Sequence, residues 1–128
     1  MALVATVTGL VLIQYFVLGL RVGQARGQFG IEAPAITGHP IFERHFRVHQ
    51  NTMEQLVLFL PALWLFATFV NAPVAAGLGV VFIIGRFVYA RRYVADPKQR
   101  GPGVIVSSLA TMILLLGGLI GAVIQLIR

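Results

Sequence analysis

Four long apolar runs, separated by polar segments, set the pattern of the chain. The first extends from Ala2 to about Leu20 and is interrupted only by Thr6, Thr8 and Gln14. The second, from about Leu56 to Val70, is short unless its helix begins further back, near Phe42, with the intervening polar residues at a membrane interface. The third covers roughly Pro73 to Tyr89 and continues into a basic extension, and the fourth, Val104 to Ile127, holds 24 residues without one charge. About 20 apolar residues in a helix cross the hydrocarbon of a bilayer. The pattern therefore predicts an all-α integral membrane protein, a four-transmembrane-helix bundle in one domain over residues 1–128, with spans at about 2–22, 44–70, 73–94 and 104–127. No basic segment precedes the first run and no small-residue cleavage site follows it, so it reads as a retained span, not a signal peptide.

The connections differ in kind. Asn71, Ala72 and Pro73 make a tight uncharged turn, whereas the link from Gly23 to Ile41 is long and rich in glycine and proline. The segment Asp96 to Gly103 reads as a rigid polar loop, because Pro97 disfavours helix at Asp96 and has no N–H to donate. Pro61 falls inside the second span, where it is tolerated if neighbouring helices satisfy the freed carbonyl. The pairs Gly19/Gly23 and Gly117/Gly121 have G-x-x-x-G spacing, which suits close helix approach within the chain or between subunits.

Composition narrows the class. Hydrophobic residues make up 58% and charged residues 11% of the chain, with a mean hydropathy of +0.88. That leaves too little polar surface to solubilise a compact globule of this size. The absence of cysteine excludes disulfides, thiolate metal sites and a protein-borne thiol nucleophile, so any sulfur chemistry uses the substrate's sulfur. A net charge of +6 raises nucleic acid as a partner, but the basic residues are interleaved with apolar runs and form no solvated tail. Membrane lipids with anionic headgroups and small anionic ligands fit better, and no nucleic acid is expected. With four spans, nine of the ten basic residues, all four acidic residues and all three histidines fall on one side. The positive-inside tendency makes that side cytoplasmic, in an inner (cytoplasmic) membrane with both termini outside.

Two polar stripes face that side. Arg44, Arg47, Asn51 and Glu54 recur at i, i+3, i+7 and i+10, one face of a helix leading into the second span. Snorkelling arginines with Glu43 and Glu54 as surface partners account for part of this. Asn51 and Glu54, deeper by one turn, favour a functional site, since shallow snorkelling explains arginine better than an amide or a carboxylate. Arg86, Tyr89 and Tyr93 share a face of the third helix; the tyrosines also suit an interfacial aromatic belt, as Trp64 does, and Arg91 and Arg92 suit topology determinants. Forked guanidinium groups hold carboxylates bidentately and Glu54 can take an ammonium group. A ligand with two carboxylates and one amine uses all of these, and glutathione is such a molecule, bringing the thiol this chain lacks.

The segments Gly38-His39-Pro40-Ile41-Phe42-Glu43-Arg44, Phe46-Arg47, Asn51-Thr52-Met53-Glu54 and Leu58 to Trp64, with Gly85 to Tyr93 and Arg100 seven residues later, resemble the signature of the MAPEG family, membrane-associated proteins in eicosanoid and glutathione metabolism. The likeness at motif level spans about residues 20 to 103. It implies a bundle assembled as a homotrimer, with glutathione as co-substrate between neighbouring subunits and no metal. It also implies glutathione contacts at Arg26, Arg47, Asn51, Glu54, Arg86, Tyr89 and Tyr93, and thiol activation by Arg100. The sequence departs from the family pattern at Thr52, where the signature has cysteine, at Val48 and His49, and from the leukotriene-C-forming synthase branch at Gln55 and Gly27. The missing tyrosine and arginine argue against a lipid-mediator synthase and leave the core glutathione set intact. His49 is a further candidate, as a general base or as an interfacial histidine.

The resemblance implies a membrane-bound glutathione transferase for hydrophobic electrophiles arriving from the bilayer, with peroxidase activity on lipid hydroperoxides as a second expectation. A non-catalytic lipid-binding or scaffold protein of the same fold is the alternative; Arg100 beside a complete glutathione set favours the enzyme. A small proton-coupled exporter needs a deep acidic residue in its first span, and Ala2 to Leu20 has none.

Overall fold

Helix start and stop signals account for the element boundaries. A computed structural model describes residues 1–128 as four helices, α1 (Ala2–Phe29), α2 (Pro40–Phe69), α3 (Ala72–Ala95) and α4 (Gly101–Leu126), with a 3₁₀ turn at Pro97–Gln99. Each α-helix is long and apolar enough to cross a membrane. α1 ends on Gly30, whose φ of 66° is the left-handed conformation that favours glycine. At the start of α2, His39 Nδ1 accepts from the Ile41 N–H at 3.1 Å beside Pro40. Asn71 Oδ1 does the same for Val74 at 2.8 Å. Asp96 Oδ1 caps the 3₁₀ turn by accepting from the Lys98 N–H.

Helix therefore claims more of the polar segments than their glycine and proline content suggests. α1 runs through Gly23 and Gly27 to Phe29, leaving only residues 30–39 as the long connection, and Gly101, Pro102 and Gly103 form the first turn of α4. A proline in a first turn forfeits no intrahelical bond, because those N–H groups lack partners anyway. α2 continues unbroken through Pro61.

α2 and α3 form the central pair, meeting each other and both outer helices, while α1 and α4 flank them and scarcely meet. The core runs along this pair: Val4, Val7 and Val11 of α1 pack with Phe59, Leu63 and Phe66 of α2, Phe82 of α3 and Leu114 of α4. The Phe59 and Phe82 rings stack at 3.8 Å. A second small cluster of Val22, Ala25, Ile31 and Phe42 secures the α1–α2 connection. Outward faces are apolar as well, with Leu10, Ile13 and Phe16 of α1 and Ile113, Leu116 and Ile120 of α4 exposed, a surface suited to hydrocarbon. The polar interruptions of α1 form hydrogen bonds, although Gln14 Oε1 is buried without a partner. Gln14 Nε2 donates to the Ile83 carbonyl at 3.0 Å, and Trp64 Nε1 donates to Thr8 Oγ1 at 3.1 Å.

Small residues set the α3–α4 and α2–α4 separations. A Cβ at position 103 would lie 2.6 Å from Tyr89 Cα, and one at position 85 would lie 2.8 Å from the Ser107 nitrogen. Gly117 and Gly121 pack against Phe66, Phe69 and Val70 of the same chain, so this pair serves packing within the chain. Gly19 abuts the His49 ring, and Gly23 has nothing within 4 Å of its missing Cβ.

Gly103→Ala should destabilise the bundle by about 1–3 kcal/mol, because the obstructing atoms are backbone and cannot rotate aside. Gly9→Ala, with nothing within 4 Å, should be neutral or stabilising by up to about 1 kcal/mol through helix propensity alone. Unfolding of the two variants in one detergent, followed by circular dichroism, measures both.

Candidate functional site

Arg86 is 1% exposed and is the largest of the fully buried side chains. A buried charge needs partners, and these come from α2. Arg86 Nη2 donates to Asn51 Oδ1 at 2.8 Å and to Thr52 Oγ1 at 2.8 Å. The Thr52 hydroxyl in turn donates to the Val48 carbonyl at 2.8 Å, which fixes its lone pairs toward the arginine. The guanidinium carbon lies 4.2 Å from the centre of the Tyr89 ring, within cation–π range. These partners are all neutral. Arg86 Nε remains buried without a hydrogen-bond partner, so the group holds a positive charge with unused donor capacity.

Around this anchor the structure gathers much of the expected set. Tyr89 and Tyr93 sit one turn apart with ring centres 5.5 Å apart. Arg47 and Arg100, together with Arg86, are close enough to act electrostatically on the Tyr89 hydroxyl. For Arg100 the cause is the Gly103 contact: with no side chain there, the first turn of α4 rests on the Tyr89 backbone, and the arginine just before that turn comes with it. Arg86 is buried, whereas Arg47 and Arg100 are exposed. Glu54 lies one turn beyond Asn51 on α2 and is also exposed. The arrangement is a cationic patch with one buried member, two exposed outer ones, an amide, phenols and a nearby carboxylate. Such a patch can hold an anionic, carboxylate-bearing ligand and lower the pKa of an acidic group brought beside it.

Other candidates are used elsewhere within the chain. Arg26 Nη1 donates to the Ala35 carbonyl at 2.7 Å, and its guanidinium lies 4.8 Å from the centre of the Phe42 ring. The structure thus ties Arg26 to the α1–α2 connection and does not bring it to Arg86. The His49 ring stacks on Tyr15 at 4.5 Å, between α1 and α2. Arg44, first of the spaced stripe, donates to the Val94 and Ala95 carbonyls and so closes the C-terminal end of α3. Glu43 accepts from the Gly38 N–H.

Thr52 is the residue that spacing did not single out. Its position beside Asn51 on the face turned to α3 was the available signal, but only the α2–α3 packing reveals that its hydroxyl receives the Arg86 guanidinium. Thr52→Val keeps the volume and leaves a buried charged donor short of one acceptor. It should cost about 1–2 kcal/mol, while Thr52→Ser should cost less than half of that. Thermal unfolding of both variants tests this.

Comparison with known proteins follows the same lines. Residues 4–120 match the model of the MAPEG family. An uncharacterised protein of Synechocystis sp. is 44% identical over 95% of this chain and 89% of its own length. Human microsomal glutathione S-transferase 2 is 37% identical over 91% of this chain and 80% of its own, and bovine leukotriene C4 synthase 36% identical over 88% and 75%. With four helices fit to cross a membrane and a family match over nearly its whole length, the chain is an integral membrane protein and belongs to the MAPEG family.

Proposed function

We propose that this protein is a membrane-bound glutathione transferase that conjugates hydrophobic electrophiles with glutathione, and that the same thiolate also reduces lipid hydroperoxides. The observation that carries the reading is the Arg86 guanidinium, buried, held by the neutral acceptors Asn51 and Thr52 and lying against the Tyr89 ring. Charge balance at that point calls for an anionic ligand. Two relatives similar over most of this chain bear the names of glutathione S-transferase and leukotriene C4 synthase, which supports glutathione as that ligand and co-substrate.

In the proposed mechanism Arg47 and Arg86 hold glutathione carboxylates, Glu54 takes the ammonium group, and Asn51, Tyr89 and Tyr93 orient the peptide. Arg100 stands beside the sulfur. A cation there favours the thiolate, and each unit of thiol pKa lowering corresponds to about 1.4 kcal/mol. The thiolate attacks the electrophilic carbon, a carbon–sulfur bond forms, and the leaving group departs with the electron pair or, in an addition, a proton is taken up. With a hydroperoxide, two glutathione molecules are oxidised to the disulfide while the peroxide is reduced to an alcohol and water. Arg26 belongs to the set if the ligand lies between subunits, and the proposal therefore includes a homotrimer. The membrane is the inner one, with the polar end of the bundle cytoplasmic.

Adding glutathione to the detergent-purified protein at neutral pH should produce thiolate absorption in the ultraviolet difference spectrum. Arg100→Ala should reduce the thiolate fraction about tenfold for each pKa unit of activation removed. Retention of the full signal would move activation to another arginine, and absence of both signal and binding would overturn the glutathione reading. Arg47→Gln should weaken glutathione binding about tenfold or more, the worth of a charge-assisted hydrogen bond, as read by equilibrium dialysis.

A further inference from the structure

A cavity of about 450 Å³ opens between α1, α2 and α3. It is separate from the Arg86 group. Its α3 lining residues Phe87, Ala90, Arg91 and Val94 lie on a face roughly 100° round the helix from Arg86, Tyr89 and Tyr93, at 3.6 residues per turn. The proposed transferase chemistry uses none of them.

The cavity is built in two parts. Arg21 of α1, His45 of α2 and Arg91 of α3 line it from three different helices, and none of its ten lining residues is acidic. Both arginines are exposed and His45 is half-buried. Deeper along the same groove the lining is apolar except for Gln14, with Val17 of α1 and Phe87 of α3 both exposed. Two arginines from two helices, with a histidine from a third and no carboxylate among the lining, select an anion. A greasy groove leading from them along the outside of the bundle selects a chain attached to that anion. A soluble anion would satisfy only the first part and an uncharged lipid only the second. The volume is that of a small-molecule site, enough for a headgroup and the upper part of one acyl chain.

We infer that the α1–α2–α3 cavity is a binding site for an anionic phospholipid, whose phosphate is held by Arg21 and Arg91 with His45 beside it and whose acyl chain lies along Val17 and Phe87. The lipid would act as a strap across three helices, on the side of the bundle where α4 does not reach. This assignment is independent of the glutathione reading.

The test uses the full protein in phosphatidylcholine vesicles containing a small fraction of spin-labelled phosphatidylglycerol or, in parallel, spin-labelled phosphatidylcholine. Electron paramagnetic resonance then reads the motionally restricted fraction of each label. The wild type should restrict phosphatidylglycerol preferentially. Arg21→Gln with Arg91→Gln should weaken that preference by roughly thirtyfold, from the worth of two arginines near an anionic lipid. Arg92→Gln with Lys98→Gln removes the same charge from exposed positions outside the cavity and should leave the preference within about twofold. Ala90→Trp, which fills the groove and keeps both arginines, should abolish it. Absence of preference in the wild type, equal loss in the two charge-removed variants, or preference surviving Ala90→Trp would each overturn the assignment. Equal unfolding temperatures of the variants in pure phosphatidylcholine show that any loss is not misfolding.

Discussion

The burial of Arg86 is the constraint around which the rest is arranged. A guanidinium at 1% exposure inside a membrane bundle is tolerable only if its donors are met. Asn51 and Thr52 meet those of Nη2 and leave Nε without a partner, so the register between α2 and α3 is set wherever those two acceptors face position 86. A slip of one residue on either helix would strand the charge in an apolar layer. Truncating Arg86 would in turn leave two polar side chains inside the bundle with a partner missing.

That constraint also dictates where helices approach. Lipid tails are as apolar as leucine, so burying apolar side chains gives little drive to bring membrane helices together, and close packing with occasional hydrogen bonds has to do it. The α3–α4 approach relies on Gly85 against Ser107 and Gly103 against Tyr89. The outer helix α1 is attached instead by polar contacts, Gln14 to the Ile83 carbonyl and Trp64 to Thr8, alongside its valine stripe. The glycine at 103 has a consequence beyond packing, since it lowers the start of α4 onto Tyr89 and carries Arg100 toward the site.

Arginines that look alike in the sequence have separate duties. Arg44 and Arg47 are one turn apart on one face, yet the first closes the end of α3 and the second stays exposed near Tyr89. Arg26 and Arg86 both lie against aromatic rings, but one serves a connection and the other a buried polar cluster. Spacing assigns a side chain to a helix face. It does not say which neighbouring helix, carbonyl or ring will be opposite.

Much of this was legible in the residues themselves. Four apolar runs of spanning length, a charge asymmetry between the two ends, and the grouping of Arg86 with Tyr89 and Tyr93 follow from hydropathy and the 3.6-residue period, which are local properties. Helix ends were less legible. Gly23, Gly27 and the Gly101 to Gly103 turn read as loop by composition, while capping, first-turn geometry and packing make them helical. The role of Thr52, the diversion of Arg26, Arg44 and His49 to structural contacts, and the cavity shared by α1, α2 and α3 belong to the tertiary structure alone. Arg26 finds its partners in the connection that follows its own helix; the others depend on which faces of separate helices meet and at what height, and that is decided by packing between residues more than 30 positions apart, which no local period encodes.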